Sequence, residues 1–162
     1  MSKIFKDNAE TIGGTPLVRI NHISEGNIYA KLENRNPAMS VKCRIGSSMV
    51  MAAERDGSLR PGMIIVEPTS GNTGIALGMV AAVKGYRLKL FMLETKTIER
   101  RKMLRFWGSD LVLTTGDDPD SHIFGAQELI QAEPESYFYI NQNENPDNIV
   151  AARPSAIPLS PK

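Results

Sequence analysis

One cysteine, two histidines and one tryptophan occur among 162 residues, and these scarcities remove whole classes of protein. A lone Cys43 cannot form an internal disulfide, so a stapled secreted scaffold is excluded and a reducing, cytoplasmic setting is expected. His22 and His122 stand apart from any Cys or Glu at ligand spacing, so no metal site is expected. Charge of one sign is missing too: 19 basic against 18 acidic side chains leave a formal +1. That balance gives a phosphate backbone no footprint, and nucleic acid is not an expected partner. No uninterrupted apolar run is long enough to span a bilayer, and the opening MSKIFKDNAE lacks the apolar stretch of a secretory leader, so membrane is not an expected partner either. Neither Gly-x-Gly-x-x-Gly nor Gly-x-x-x-x-Gly-Lys-Ser/Thr occurs, which withdraws the dinucleotide and P-loop readings. What is present, 41% apolar and 23% charged residues, suits an ordinary globular domain with one sizeable core.

Short apolar runs alternate with helical patterns, the signature of βα units and a parallel sheet. Leu17 to Ile20 and Asn27 to Glu33 read as two strands joined by a turn around Ser24, Glu25 and Gly26, an antiparallel hairpin. From Val41 to about Arg55 the pattern is helical, with Ser40 able to cap its start and Gly57 its end. Met63 to Val66 reads as a buried strand. Glu67 to Gly74 follows as a polar loop, and a helix runs from Ile75 to Lys84. The unit recurs as strand Arg87 to Met92, helix Ile98 to Trp107 capped by Thr97, and strand Asp110 to Thr115. A helix from Ser121, its cap, to Ala132 and a last strand Tyr137 to Ile140 complete the pattern. Three domains of organisation result: an N-terminal segment and hairpin over 1–34, an α/β body over 35–148, and a Pro-rich tail over 149–162 expected to be disordered.

Two places can carry chemistry. In the loop Thr69-Ser70-Gly71-Asn72-Thr73-Gly74 a buried strand hands over to a helix, where open α/β sheets bind ligands. Its glycines let backbone N–H groups approach a ligand, and the helix points its positive end at the same spot, so a small anion is the natural guest. A plain βα turn has the same two-glycine spacing. Lys42, in the first turn of a helix capped by Ser40, lies where the macrodipole disfavours an ammonium; a neutral amine there can attack a carbonyl and hold it as a Schiff base. Most lysines are solvated surface groups, and Lys42 by itself reads as one of them. Cys43 points about 100° away around the helix and reads as a small buried residue. Arg100, Arg101 and Lys102 read as a solvated face.

The pairing of Asn36-Pro37-Ala38-Met39-Ser40-Val41-Lys42-Cys43-Arg44 with Glu67-Pro68-Thr69-Ser70-Gly71-Asn72-Thr73-Gly74-Ile75-Ala76-Leu77 resembles the cysteine synthases, the O-acetylserine sulfhydrylases. Thr15-Pro16-Leu17-Val18, Ile98-Glu99-Arg100-Arg101 and Asn145-Pro146-Asp147-Asn148 extend the likeness from residue 1 to about 148. Cystathionine β-synthase is similar in both motifs, but the cysteine after the lysine looks more like cysteine synthase. The resemblance implies the N-terminal half of a tryptophan synthase β-like fold: a small parallel sheet with flanking helices plus an N-terminal hairpin. It also implies pyridoxal 5'-phosphate as cofactor. Lys42 would be the catalytic residue and hold the cofactor, and Asn72 would bond its ring hydroxyl. Thr69, Ser70, Gly71, Thr73 and, by its position after the last strand, Gln142 would receive the substrate α-carboxylate. The implied reaction replaces the acetoxy group of O-acetylserine by sulfide to give cysteine and acetate.

Relatives of this kind continue through a second half that supplies a glycine-rich loop for the cofactor phosphate and a serine for the pyridine nitrogen, whereas this chain has no glycine after Gly125. Ile149 to Ser155 departs from the family pattern in the manner of a truncation or frame change. Leu93 replaces a usual proline, and Asn143 a usual aromatic. The hairpin, which in the family packs on that second half, is expected to expose apolar surface. The expectation is therefore a cysteine synthase-type polypeptide that is weak or inactive alone. It would form a homo-oligomer or associate with a full-length homologue; a non-catalytic interaction module is the alternative.

Overall fold

Strands rich in β-branched and aliphatic residues on both faces can only be buried between layers of helix, and that requirement organises this chain. The computed structural model describes residues 4–22 and 26–152. After a 3-10 turn at Ala9–Thr11, β1 (Leu17–Ile20) and β2 (Ile28–Lys31) pair antiparallel, Leu17 opposite Lys31 and Ile20 opposite Ile28. The expected hairpin is present. Ser24 and Glu25 of its turn lie outside the described residues.

A 3-10 turn at Glu33–Arg35 leads into α1 (Lys42–Asp56). Then follow β3 (Ile64–Pro68), α2 (Asn72–Lys84), β4 (Arg87–Leu93), α3 (Ile98–Phe106), β5 (Asp110–Thr114), α4 (Ser121–Ala132), β6 (Tyr137–Tyr139) and α5 (Pro146–Ala152). The four strands β5-β4-β3-β6 form one parallel sheet in that order. Two successive strands, β4 and β5, thus step to one side of β3 while β6 steps to the other, which places a topological switch point at the carboxyl ends of β3 and β6.

One sheet face, through Ile65, Leu88, Leu90 and Met92, packs on α1 and α2, with Leu104 of α3 and Ala151 of α5 closing the same core. The other face, through Val66 and Phe91, packs on Ala126 and Leu129 of α4. Among the described residues no helix is long and apolar enough to cross a membrane.

Several boundaries differ from the sequence reading. Helix α2 begins at Asn72 rather than Ile75, and β3 continues through Glu67 and Pro68. Ser121 does not cap α4 but lies inside it, its hydroxyl donating to the Thr115 carbonyl. Thr97 occupies the N-cap of α3 without a side-chain cap bond. Helix α5 carries the chain through 149–152, which the sequence reading assigned to the tail. It starts at Asn145-Pro146, where the Asn145 side chain accepts the Asp147 N–H at 3.0 Å. Residues 153–162 of the expected disordered tail lie outside the described residues.

The hairpin is tied to the body by one buried polar cluster. Arg44 of α1 donates through Nε and Nη2 to the Glu33 carboxylate at 2.8 and 2.9 Å, while Thr15 and Asn36 donate to the same carboxylate at 2.6 and 2.8 Å. The Arg44 guanidinium, with these neutral donors, holds the Glu33 carboxyl down at about 2. A buried arginine without its partner costs far more than an exposed one. Glu33→Ala is therefore expected to lower the unfolding free energy by about 3 kcal/mol in urea titrations, whereas a loss under about 1 kcal/mol would mean that Arg44 reaches water.

Candidate active site

Two helix starts lie side by side at the switch point, where α1 and α2 pack closely. A Cβ on Gly46, four residues into α1, would stand only 3.4 Å from the Cβ of Ala76, four residues into α2. Both positions are one turn, about 6 Å, below their helix starts, so Lys42 and Asn72 open neighbouring helices. Gly74 lets the first turn of α2 settle onto its strand, since a Cβ there would meet the Thr69 methyl at 2.9 Å and Leu104 at 3.0 Å. Residues Pro37, Ala38 and Met39, which lead into α1, line one cavity of about 290 Å³ together with Asn72 and Ile75.

Lys42 is half-buried as the first residue of α1. The Ser40 hydroxyl accepts its backbone N–H at 3.1 Å from one position before Val41, the N-cap. The turn before it holds Met39 at φ 55, a left-handed conformation that a side chain disfavours. Cys43 is fully buried, its sulfur accepting the Ala38 N–H, and burial pushes its thiol up. That matches its reading as a packing residue.

Thr69 and Thr73 are buried, Ser70 and Gly71 half-buried, and Asn72 exposed at the mouth. The Thr69 hydroxyl accepts the Gly71 N–H at 3.3 Å, while Gly74 and Ile75 donate back to the Gly71 carbonyl. The N–H groups of Asn72 and Thr73, at the head of the helix, have no intrahelical acceptor and point out of the positive end. Across the switch point the Thr73 hydroxyl donates to Gln142 Oε1 at 2.6 Å, joining residues 69 positions apart. Gln142 follows Asn141, itself left-handed at φ 49, and its carbonyl accepts the Asn148 side chain at 2.7 Å. The fold therefore brings Thr69, Ser70, Gly71, Thr73 and Gln142 together, with Asn72 beside them and Lys42 at the head of the adjacent helix.

Three residues escaped the sequence reading. The Arg100 guanidinium donates to the Ser70 carbonyl at 3.3 Å, and Arg101 donates to the Glu94 and Lys96 carbonyls. Of the expected solvated face, only Lys102 remains without such a contact; nothing in the sequence pattern distinguished the three. Glu67 is the third. Only 1% exposed, it lies in a strand covered on both faces, and burial pushes its carboxyl up to about 7 against the opposing hydrogen bonds of the Gln142 side chain and the Gln142 and Asn141 N–H groups. Its Oε2 has no partner. A charge inside an otherwise apolar run was the available signal. Among the described residues no three metal-ligating side chains cluster.

Residues 9–156 match the family described as pyridoxal-phosphate dependent enzyme, past residue 148 where the sequence resemblance ended. The chain is 56% identical over 149 residues to cysteine synthase A of Escherichia coli K12, covering 91% of this chain and 46% of that one. Its structure is similar to that of O-acetyl serine sulfhydrylase isoform 3 from Entamoeba histolytica, with a TM-score of 0.91 at 40% identity over 94% of this chain and 48% of that one. O-ureido-L-serine synthase is similar at TM-score 0.87 and 41% identity, over 93% and 48% of the two chains. The chain spans about half the length of the curated relatives it matches.

Glu33 and Glu67 give stability opposite pH dependences. A carboxyl held near 2 contributes stability present above its unfolded value of 4.5 and lost as pH falls from there toward 2. One raised to about 7 contributes stability present below 4.5 and lost as pH rises from 4.5 to 7. Unfolding free energy is thus expected to fall between these values by up to roughly 3 kcal/mol. In Glu67→Gln that fall should disappear from urea titrations taken across the same range, and a wild-type curve already flat there would refute the assignment.

Proposed function

The chain belongs to the family of pyridoxal-phosphate dependent enzymes, and from that premise we propose that it carries the lysine-bearing half of a cysteine synthase site. The observation that supports this most is the Thr73–Gln142 hydrogen bond across the switch point, beside the open N–H groups of Asn72 and Thr73. That arrangement suits the α-carboxylate of an amino acid, with Thr69 and Ser70 adding short polar groups.

The donor set fits the aldehyde and ring end of pyridoxal phosphate. Lys42 Nζ would hold it covalently, Asn72 would bond its ring hydroxyl, and we assign no residue to its phosphate. When bound, the cofactor supplies an electron sink for charge developing at the substrate Cα. Lys42 removes the proton from that carbon, close to a carboxylate that the α2 start and Gln142 keep from rotating away. Departure of the β-acyloxy group as acetate, addition of hydrosulfide at that β-carbon and return of the proton from Lys42 to Cα then exchange a C–O for a C–S bond, so O-acetylserine and hydrosulfide would yield cysteine and acetate. Weak or absent turnover is expected of this chain alone, in the reducing, cytoplasmic setting that a single buried thiol suits.

A second reading, a non-catalytic module that associates with a full-length synthase or another copy of itself, is favoured by the hairpin. Leu17, Val18, Ile28 and Tyr29 are all exposed along β1 and β2.

Mixing the protein with pyridoxal phosphate is expected to produce a visible absorbance band that is missing in Lys42→Ala. A band that survives the substitution, or no band in the unsubstituted chain, rejects the cofactor site. Under the second reading, a full-length cysteine synthase should co-purify with this chain and be lost with Val18→Asp and Tyr29→Ser; a strictly monomeric chain that captures none removes that reading.

A further inference from the structure

The loop assigned to the ligand carboxylate contains a glycine that its own conformation does not require. Gly71 stands at φ −117 and ψ −159, extended backbone open to any residue, and a Cβ there would meet nothing within 4 Å. What glycine adds is freedom to turn the Ser70–Gly71 peptide over. Such a flip carries φ of residue 71 through half a turn, to about 63, a region that at this ψ belongs to glycine alone. It also exchanges the directions of the peptide's carbonyl and N–H, so the polarity of a loop suited to an anion depends on which way this one peptide faces.

In the structure both ends of that peptide are held. The Gly71 N–H donates to Thr69 Oγ1 at 3.3 Å, and the Ser70 carbonyl accepts Arg100 Nη1 at 3.3 Å. Only the second bond comes from outside the loop. Arg100 reaches it because α3 lies along α2 in a fixed register. A Cβ on Gly78 would stand 2.8 Å from the Trp107 Cβ, and one on Gly74 would stand 3.0 Å from a Leu104 methyl, so the helices touch at both levels. Residue 70 is one turn before Gly74, and Arg100 is one turn before Leu104 on the same face, so the third level of this register is the Arg100–Ser70 bond. The neighbouring cations do other things: Arg101 donates to the Glu94 and Lys96 carbonyls in the turn leading into α3, and Lys102 has no such contact.

We propose that Arg100 is a positioning residue, which holds the Ser70 carbonyl toward α3 and thereby keeps the Ser70–Gly71 peptide in the orientation that leaves the head of α2 open to a ligand carboxylate. This rests on the reading of residues 69–73 as the carboxylate site and extends it to a residue that touches no ligand. The apolar contacts of Leu104 and Trp107 set where α3 lies; the guanidinium converts that placement into the orientation of one peptide.

The test uses the full chain labelled with carbon-13 and nitrogen-15, and acetate as the carboxylate probe. In Arg100→Gln the Ser70 carbonyl carbon and the Gly71 amide should shift, and acetate affinity, read from the amides of Ser70 to Thr73, should fall about fivefold. Lys102→Gln removes the same charge from the same helix and should cost less than about twofold, because an exposed charge acting only through solvent is screened. Gly71→Ala opposes the flip, so in that background Arg100→Gln should also cost less than about twofold. Equal losses in Arg100→Gln and Lys102→Gln, or the same loss from Arg100→Gln with and without Gly71→Ala, overturns the positioning role, as does a Ser70 carbonyl signal that stays in place. If acetate shifts none of these amides in the unsubstituted protein, the carboxylate reading falls instead, while the Ser70 carbonyl signal still decides whether Arg100 holds the peptide.

Discussion

Everything at this site depends on how closely α1 can approach α2. Gly46 faces Ala76 where a Cβ on the glycine would lie 3.4 Å from the Ala76 methyl, ordinary contact for a methyl, so a side chain much larger than that would push the two helices apart. The packed pair carries two helix starts to the same edge of the sheet, and each start presents unpaired N–H groups and the positive end of a dipole. Two positive ends side by side repel each other and any ammonium between them. Such a juncture favours negative groups from a ligand. The electrostatics of the site thus follow from a packing decision made one helical turn below it, by a glycine that never approaches the chemistry.

The two buried acids show how differently a fold can treat the same functional group. Glu33 is met by a guanidinium, a hydroxyl and a side-chain amide, so it stays charged and joins the hairpin segment to α1. Glu67 is only 1% exposed, one of its oxygens is met by nothing, and burial pushes its carboxyl up to about 7. The first arrangement is structural, because all its partners are protein and its charges cancel. The second leaves a carboxyl whose desolvation no ion pair offsets among the described residues. A polar group paired on one side only is informative because a purely structural role would be served better by a leucine, the residue type that β4 places opposite Glu67.

Most of the architecture was legible in the sequence, and the exceptions have physical causes. Helix α4 ends at Ala132 as the pattern predicts and starts one residue before the expected position, and Gly57 and Gly85 end α1 and α2 in left-handed conformations. The start of α2 reads three residues late because Asn72, Thr73 and Gly74 have low helix propensity; they are helical because Gly74 alone fits against Thr69 and Leu104. Helix α5 was hidden by the Pro-rich run beyond it, although an asparagine followed by a proline is a helix-start signature. Lys42 and the Thr69 to Thr73 loop are local motifs and were readable. The Thr73–Gln142 contact is created by strand order, with β6 inserted beside β3 from the far end of the body. No local pattern encodes that adjacency.

The division of labour between halves of such a site follows from the same topology. A switch point needs two adjacent strands whose connections leave in opposite directions, and here both, β3 and β6, belong to this chain. The proposed carboxylate site is built from the carboxyl ends of those strands and the helix between β3 and β4, so its parts are packed on one core. The hairpin is in the opposite position. Its strands pair with each other and expose Val18 and Tyr29, and its link to the body runs through Arg44 and Glu33. Apolar strand surface held by one polar cluster gains little from the body it is attached to and gains most from a surface laid across it. The polar groups at the switch point are thus held together by the body, while the exposed hairpin strands are held to it by the Arg44–Glu33 pair.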